Sequence, residues 1–264
     1  MLGVGIREQT VDQFVLRIYQ PQGELSGAAL CWIHGGGYIV GDAVTNDRQC
    51  AVLARDFKMV VVSVNYRLAP KHPFPAALDD CFGAWRWMRE QAGALGISPA
   101  RIVIGGQSAG GGLAATLVQR IHDLGDTQPL AQLLYYPMLD DRTAARVELD
   151  GIKHRLWNNQ SNRAGWSHYL GTQPGNPVLP DYAAAARRAD LSGLPATWIG
   201  VGDIDLFYQE NCEYARRLRE AGVDCELEIV PQAPHAFDML VPNAAISKAF
   251  IASQRQFLHR VLAA

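Results

Sequence analysis

The chain has 264 residues, of which 48% are hydrophobic, 19% charged and 9% aromatic. This composition can form a sizeable buried core and excludes a disordered or collagen-like chain, and the apolar runs fall far short of the roughly 18 residues of a membrane-spanning helix. Because 24 basic residues stand against 26 acidic ones without a basic block, we expect neither nucleic acid nor a membrane as a partner.

Short runs of β-branched residues, bounded by Gly, Pro or Asn, predict buried strands along the chain. They lie at residues 11–19, 29–33, 59–64, 101–104, 132–136, 197–201 and 226–230. Helical spacing of apolar residues separates them, most clearly at 78–88, 113–124 and 246–261. This alternation predicts an α/β fold with a mostly parallel sheet flanked by helices. Residues at the carboxyl ends of the strands are then the candidates for chemistry.

One segment interrupts the alternation. From residue 140 to about residue 191 no strand pattern is present, although Trp157, Trp166 and Tyr169 lie there among Gly, Asn and Pro residues. The segment is too long for a plain loop. We therefore predict a single domain over residues 1–264, with an insertion that folds over the end of the sheet.

The first motif that carries chemistry follows the predicted strand at 101–104. It reads Gly106-Gln107-Ser108-Ala109-Gly110 and leads into a helical pattern. A serine on such a strained strand-to-helix turn presents its hydroxyl above the sheet, and small neighbours let other backbone pass. A phosphate loop would need Lys and then Ser or Thr where Gly111-Gly112-Leu113 follows. A dinucleotide loop would need glycines at other offsets from Gly105 and Gly106. We predict Ser108 to be a nucleophile.

The second motif follows the predicted strand at 29–33 and reads His34-Gly35-Gly36-Gly37-Tyr38. A serine that attacks a carbonyl group creates an oxyanion, which needs preorganised N–H donors, and consecutive glycines leave backbone amides open to it. We predict an oxyanion hole formed by the N–H groups of Gly36, Gly37 and Ala109. His34 and Gly35 are predicted to order this loop.

A base and an acid should follow the serine in the chain, with the acid first. Among the later histidines, only His235 comes directly after a predicted strand. The strand at 197–201 leads to Asp203 and Asp205, and the spacing leaves both open as the acid. We favour Asp205, because Asp203 suits a loop-fixing or capping role. His235 would take the proton of Ser108, and this chemistry requires neither a metal nor an organic cofactor.

Together with further segments, these motifs resemble the hormone-sensitive-lipase-like esterases of the α/β-hydrolase superfamily. The matching segments run through nearly the whole chain, at residues 34–38, 65–77, 106–111, 190–195, 205–206 and 235–237. The resemblance implies an α/β-hydrolase fold with Ser108, Asp205 and His235 as the triad. It also implies hydrolysis of small-molecule acyl esters, usually short ones.

The chain departs from this family in three ways. Gln107 stands where the family usually has an acidic residue, and Ala236 stands where it usually has glycine. Family members also carry N-terminal helices ahead of the first strand, which here is predicted to begin near Val11. The resemblance therefore implies a reduced cap, at about residues 140–182, and a more open acyl pocket. Two states remain open: an uncovered pocket, and a homo-oligomer whose second subunit covers it.

Other functions use the same motifs. An amidase or formamidase, or a deacetylase acting on a specific small molecule, would have the same triad, and the sequence does not separate them. Some plant hormone receptors resemble this family without the catalytic histidine, whereas His235 is present here. A long-chain lipase is disfavoured because the sequence has no amphipathic lid helix with an exposed apolar face.

The cysteines and the first residues of the chain indicate in which cellular compartment the protein is expected. The five cysteines are an odd number without a Cys-x-x-Cys pair, which favours free thiols over a disulfide framework or a zinc site. Arg7 and Glu8 come before any apolar segment of signal-peptide length. We therefore expect a cytoplasmic protein without a metal site.

Overall fold

An eight-stranded sheet forms the centre of the protein in a computed structural model that describes residues 3–263. Its strands are β1 (Val4–Val11), β2 (Phe14–Pro21), β3 (Ala29–Ile33), β4 (Val60–Asn65), β5 (Ile102–Gln107), β6 (Ala131–Tyr135), β7 (Ala196–Gly202) and β8 (Cys225–Val230). They lie in the order β1-β2-β4-β3-β5-β6-β7-β8. The first two pairings in this order are antiparallel and the others are parallel. The predicted α/β fold with a mostly parallel sheet is confirmed.

Helices cover both faces of this sheet. They are α1 (Asp47–Phe57), α2 (Ala76–Glu90), α3 (Ala92–Leu95), α4 (Ala109–Asp123), α5 (Asp141–Ala145), α6 (Asn159–Leu170), α7 (Tyr208–Glu220), α8 (Phe237–Leu240) and α9 (Ala245–Ala263). Apolar residues of α2, α4 and α7 belong to one core cluster, and those of α1 and α9 belong to a second. Every residue of β3, β5 and β6 is buried between these layers, which explains their continuous apolar sequences. None of the described helices is long and apolar enough to cross a membrane.

The beginning of the sheet differs from the prediction. The expected first strand at residues 11–19 is in fact the end of β1, a turn at Asp12 and Gln13, and most of β2. Asp12 has a φ of 48°, as a tight hairpin turn requires. Most residues of β1 are exposed, so this edge strand lacks the apolar run by which the other strands were recognised. The first strand therefore begins at Val4, and the prediction of a start near Val11 was wrong.

The segment between β6 and β7 is helical where it is regular. It contains α5, α6 and two short 3-10 helices, Val147–Gly151 and Ala185–Arg187. Helix α6 packs on the turn that follows β3. The ring of Tyr169, on α6, stacks on the ring of Tyr38, in the turn, with the centroids 4.0 Å apart. A Cβ atom at Gly165 would lie 2.8 Å from the carbonyl oxygen of Gly37, so glycine permits this close approach. The segment thus lies over the carboxyl end of the sheet.

Candidate active site

A sharp turn between β5 and α4 carries Ser108. The residue has φ and ψ angles of 54° and −122°, a strained conformation for a residue other than glycine. Its backbone N–H donates to the carbonyl oxygen of Tyr135, 2.9 Å away, which fixes the turn to β6. A Cβ atom at Gly110 would lie 2.2 Å from the carbonyl oxygen of Ile33. The glycine therefore lets the turn approach the end of β3, as the motif predicts.

The side chains of Ser108, His235 and Asp205 form a hydrogen-bonded chain. The Ser108 hydroxyl lies 2.9 Å from Nε2 of His235, and Nδ1 of His235 lies 2.7 Å from the Asp205 carboxylate. All three residues are buried. Since the carboxylate accepts the Nδ1 proton, Nε2 is left as an acceptor for the hydroxyl proton. A hydroxyl in this position can lose its proton to the imidazole as it attacks a carbonyl carbon.

The two aspartates that follow β7 have different partners. Besides His235, Asp205 accepts a hydrogen bond of 2.9 Å from the backbone N–H of Phe207. Asp203 instead accepts a hydrogen bond of 2.6 Å from the backbone N–H of Gln232, in the loop that leads to His235. Asp205 is therefore the carboxylate at the imidazole, and Asp203 ties that loop to the end of β7.

The glycines after β3 line the same site as Ser108. A Cβ atom at Gly35 would lie 3.3 Å from the Cβ atom of Ser108. Gly36 and Gly37 have φ angles of 119° and 58°, and a Cβ atom at Gly36 would lie 1.9 Å from the carbonyl oxygen of Val40. Within residues 3–263, the backbone N–H groups of Gly36, Gly37 and Ala109 make no hydrogen bond. These donors are thus available to an oxygen bound beside Ser108.

His34 is held in place by contacts with its own loop and with a neighbouring ring. Its Nδ1 donates to the carbonyl oxygen of Gly35 at 2.7 Å, and its ring stacks on Tyr66 at 4.2 Å. The Tyr66 hydroxyl donates to the carbonyl oxygen of His34 at 3.0 Å. Burial lowers the pKa of His34, which keeps the ring neutral. These contacts favour an ordering role for His34 over proton transfer.

Gln107 and Ala236 are the two residues that depart from the family motifs. The first takes part in a side-chain hydrogen bond, and the second has a left-handed backbone conformation. The Gln107 side-chain oxygen accepts a hydrogen bond of 2.8 Å from the amide of Asn46, so an amide pair occupies a position where the family usually has a carboxylate. Ala236 has a φ of 54°, a left-handed conformation that glycine adopts without strain. The strand and helix patterns gave no signal for the contact with Asn46.

Residues of the segment between β6 and β7 also reach the site. The indole ring of Trp157 lies against Gly37, since a Cβ atom there would be 2.1 Å from the ring. His154 and Ile152 line a cavity of about 150 Å³ together with Asp205 and Leu206. Burial lowers the pKa of His154, and the nearby Asp205 carboxylate opposes this effect. Within the described chain, no group of three or more His, Cys, Asp or Glu residues could hold a metal ion.

A buried glutamate on α7 anchors the beginning of this segment, and sequence reasoning missed it. The Glu210 carboxyl accepts hydrogen bonds from the backbone N–H of Leu139, at 2.7 Å, and from the hydroxyl of Thr143. Burial raises the pKa of Glu210 well above its ordinary value of 4.5. Because Glu210 also follows closely after Asp205, it connects the segment between β6 and β7 to the loop that carries this aspartate.

Replacing Glu210 by glutamine should remove a pH dependence of stability. A carboxyl group whose pKa is raised by folding contributes stability that is complete below its unfolded pKa and is lost as the pH rises through the folded value. The melting temperature of the native chain, relative to Glu210→Gln, should therefore fall as the pH rises above 4.5. Thermal unfolding of both chains across this range measures the difference.

Glu213 provides the control on the same helix. It is exposed, and its hydrogen bond to Arg216 lowers its pKa, so Glu213→Gln should show a pH dependence of the opposite sign. A constant difference between the native chain and Glu210→Gln over the whole range would contradict the assignment.

Comparison with known proteins identifies the family. A family model described as the alpha/beta hydrolase fold matches residues 30–239, which include both glycine motifs, Asp205 and His235. The chain belongs to the α/β-hydrolase family. The predicted resemblance to its hormone-sensitive-lipase-like esterases is confirmed by the relatives described next.

These relatives and solved structures carry the names of ester hydrolases. Carboxylesterase NlhH of Mycobacterium tuberculosis is 37% identical over 223 residues, which cover 81% of this chain and 68% of the relative. Ethyl acetate hydrolase of Pseudomonas putida is 34% identical over 228 residues, covering 84% of this chain and 70% of the relative. A structure titled bacterial heroin esterase is 37% identical with a TM-score of 0.93, covering 99% of this α/β hydrolase and 85% of that chain.

Proposed function

We propose that this α/β hydrolase is a serine carboxylesterase that hydrolyses short-chain acyl esters through an acyl-enzyme intermediate. The hydrogen-bonded chain from Ser108 through His235 to Asp205 is the observation that supports the proposal most directly. The names of its relatives support the same reaction class, because they are carboxylesterases and an ethyl acetate hydrolase.

In the first half of the proposed reaction, the Ser108 oxygen attacks the ester carbonyl carbon while Nε2 of His235 takes its proton. Asp205 holds the imidazole in the required tautomer and stabilises the imidazolium that forms. The developing oxyanion receives hydrogen bonds from the N–H groups of Gly36, Gly37 and Ala109, at the positive end of the α4 dipole. The ester C–O bond then breaks, and His235 gives the proton to the departing alkoxide.

In the second half, water hydrolyses the acyl-enzyme. His235 takes a proton from the water molecule as its oxygen attacks the acyl carbon, and the same N–H groups stabilise the second oxyanion. The bond between the acyl carbon and the Ser108 oxygen breaks, and His235 returns the proton to Ser108. The products are a carboxylic acid and an alcohol, and the enzyme is regenerated.

We propose that residues of about 140–182 act as a cap insertion within a single domain over residues 1–264 and line the acyl side of the site. The contact of Trp157 with Gly37 supports this, since it brings a bulky ring next to the proposed oxyanion hole. In contrast to the more open pocket that the resemblance implies, a ring in this position limits the space for the acyl chain, which favours short esters. A homo-oligomer whose second subunit covers the pocket stays a prediction, and a strictly monomeric mass in gel filtration would contradict it.

Hydrolysis of p-nitrophenyl esters tests the proposed function. The native chain should release p-nitrophenol from the acetate and butyrate esters faster than from the octanoate and palmitate esters. A folded chain without activity on any of these esters would contradict the esterase proposal. It would favour the amide and natural-product substrates that use the same triad.

Replacing Gly36 by alanine should disable the proposed oxyanion hole. The new Cβ atom would lie 1.9 Å from the carbonyl oxygen of Val40, at a φ of 119°, so the loop must move. Misplacing one such donor should lower kcat by about 10²- to 10³-fold. Initial rates with p-nitrophenyl acetate measure the effect, and circular dichroism checks the fold.

Gly93→Ala is the matched control for this substitution. Gly93 lies in α3, and its Cβ position has no atom within 4 Å, so alanine should leave kcat unchanged. Full activity of a folded Gly36→Ala chain would contradict the proposed oxyanion hole.

We also propose a cytoplasmic location. It is supported by the cysteines, because all five are free thiols and four of them are buried in the core. Localisation of the tagged full-length protein by cell fractionation tests this proposal.

A further inference from the structure

A second cavity lies between α1, α9 and the residues that follow His235. Its volume is about 360 Å³, and it is open to solvent on one side. Aliphatic side chains of Val52, Leu53 and Ile251 form part of its wall. The volume falls within the range of about 300 to 1,000 Å³ that is typical of small-molecule sites.

Several buried polar side chains in this cavity have no hydrogen-bond partner. Gln254 is 0% exposed, and neither its amide oxygen nor its amide nitrogen has a partner among residues 3–263. The Tyr135 hydroxyl, at 1% exposure, and the Asn46 side-chain oxygen, at 2% exposure, also have no partner within hydrogen-bond distance in the described chain, and the unpaired amide nitrogen of Gln49 faces the Tyr135 hydroxyl. Buried polar groups of this kind are normally satisfied, so their convergence on one cavity indicates a built binding site.

The unpaired groups define the chemistry of a ligand. They are amide and phenol groups, which include both donors and acceptors of hydrogen bonds and carry no charge. Three charged residues also line the cavity: Asp238 accepts a hydrogen bond of 2.9 Å from the Tyr136 hydroxyl, Arg255 pairs with Asp56, and Arg48 is exposed to solvent. The unpaired buried groups are themselves uncharged, and they therefore favour a neutral ligand over a carboxylate or an ammonium group.

We propose that this cavity is a binding site for a neutral hydroxylated small molecule, an alcohol or diol with a short aliphatic part. Its hydroxyl groups pair with Gln254, Tyr135 and Asn46, while its aliphatic part contacts Val52 and Ile251. The site is distinct from the triad but shares a wall with it.

The shared wall is formed at Gln107. Asn46 donates to Gln107, which directly precedes Ser108. The sulfur atom of Met239, which lines the cavity, lies 3.2 Å from the side-chain amide nitrogen of Gln107.

Saturation-transfer NMR with 1,2-hexanediol tests the proposal without an ester, so the result does not depend on the catalytic proposal. The diol should bind the native chain and the Ser108→Ala chain with the same Kd. Gln254→Leu and Tyr135→Phe should each raise this Kd about tenfold, because each removes hydrogen-bonding atoms from the cavity. Hexanoate, which has the same carbon number and a negative charge, should bind at least about tenfold more weakly than the diol.

Gln256→Leu is the matched control, since Gln256 lies two positions further along α9 and is exposed. It should leave the Kd unchanged. If Gln254→Leu fails to fold, Val52→Phe fills the cavity from the opposite wall and should abolish binding of the diol. The proposal is overturned if the diol shows no saturation transfer, which would mean that water alone satisfies these groups. It is equally overturned if Ser108→Ala removes the binding or if Gln254→Leu does not weaken it.

Discussion

Replacing Ser108 by alanine should lower kcat for p-nitrophenyl acetate by at least about 10⁴-fold, because the chain then has no oxygen at the position that attacks the ester. The backbone N–H groups of Gly36, Gly37 and Ala109 would remain, so a small residual rate above the uncatalysed reaction is expected. Initial rates at saturating ester measure the loss.

The control for this substitution is Ser192→Ala. Ser192 is exposed and lies just before β7, away from the nucleophile turn. It should keep the native kcat, and both variants should unfold cooperatively near the native melting temperature. If Ser108→Ala retained more than a tenth of the native rate, Ser108 would not be the nucleophile.

Replacing Asp205 by asparagine should also lower kcat, by about 10⁴-fold, with little change in the fold. The carboxylate now accepts the Nδ1 proton of His235 over 2.7 Å, and an amide in its place can donate to Nδ1 and stabilise the wrong tautomer. The ring would then present a proton to Ser108 instead of an acceptor. Rates for Asp205→Asn across the pH range measure the loss.

Asp203→Asn tests which of the two aspartates is the acid of the triad, since the sequence spacing allows both. Its side-chain oxygen can still accept the backbone N–H of Gln232, so kcat should fall by less than about tenfold. A larger loss for Asp203→Asn than for Asp205→Asn would reverse the assignment of the acid.

The predictable part of the fold is the part that is buried on both faces. Strands β3, β5 and β6 have continuous apolar sequences because helices cover both of their surfaces. Strand β1 lies at the edge of the sheet, and residues such as Arg7 and Glu8 point to solvent there. No apolar pattern marks such a strand, and the sequence pattern therefore predicts one strand where the structure has the turn at Asp12.

The site was predictable where backbone geometry restricts the residue type. Gly36 and Gly110 stand where a Cβ atom would collide with a carbonyl oxygen. Only glycine fits such positions, so they can be recognised in the sequence as glycines of a motif. Contacts between side chains that are distant in the sequence do not restrict the residue type in this way, so no motif predicts them. Glu210 meets Thr143 across 67 residues and Asn46 meets Gln107 across 61, and in both cases only the folded chain brings the partners together.

Covalent labelling with diethyl p-nitrophenyl phosphate tests the central claim most directly. The Ser108 oxygen should attack phosphorus and displace p-nitrophenolate, leaving a stable diethylphosphoryl group that mimics the acyl-enzyme. We expect one p-nitrophenolate per chain, complete loss of esterase activity, and a modified peptide that contains Ser108 by mass spectrometry. A label on another residue, or esterase activity that survives full labelling of Ser108, would contradict the proposed mechanism.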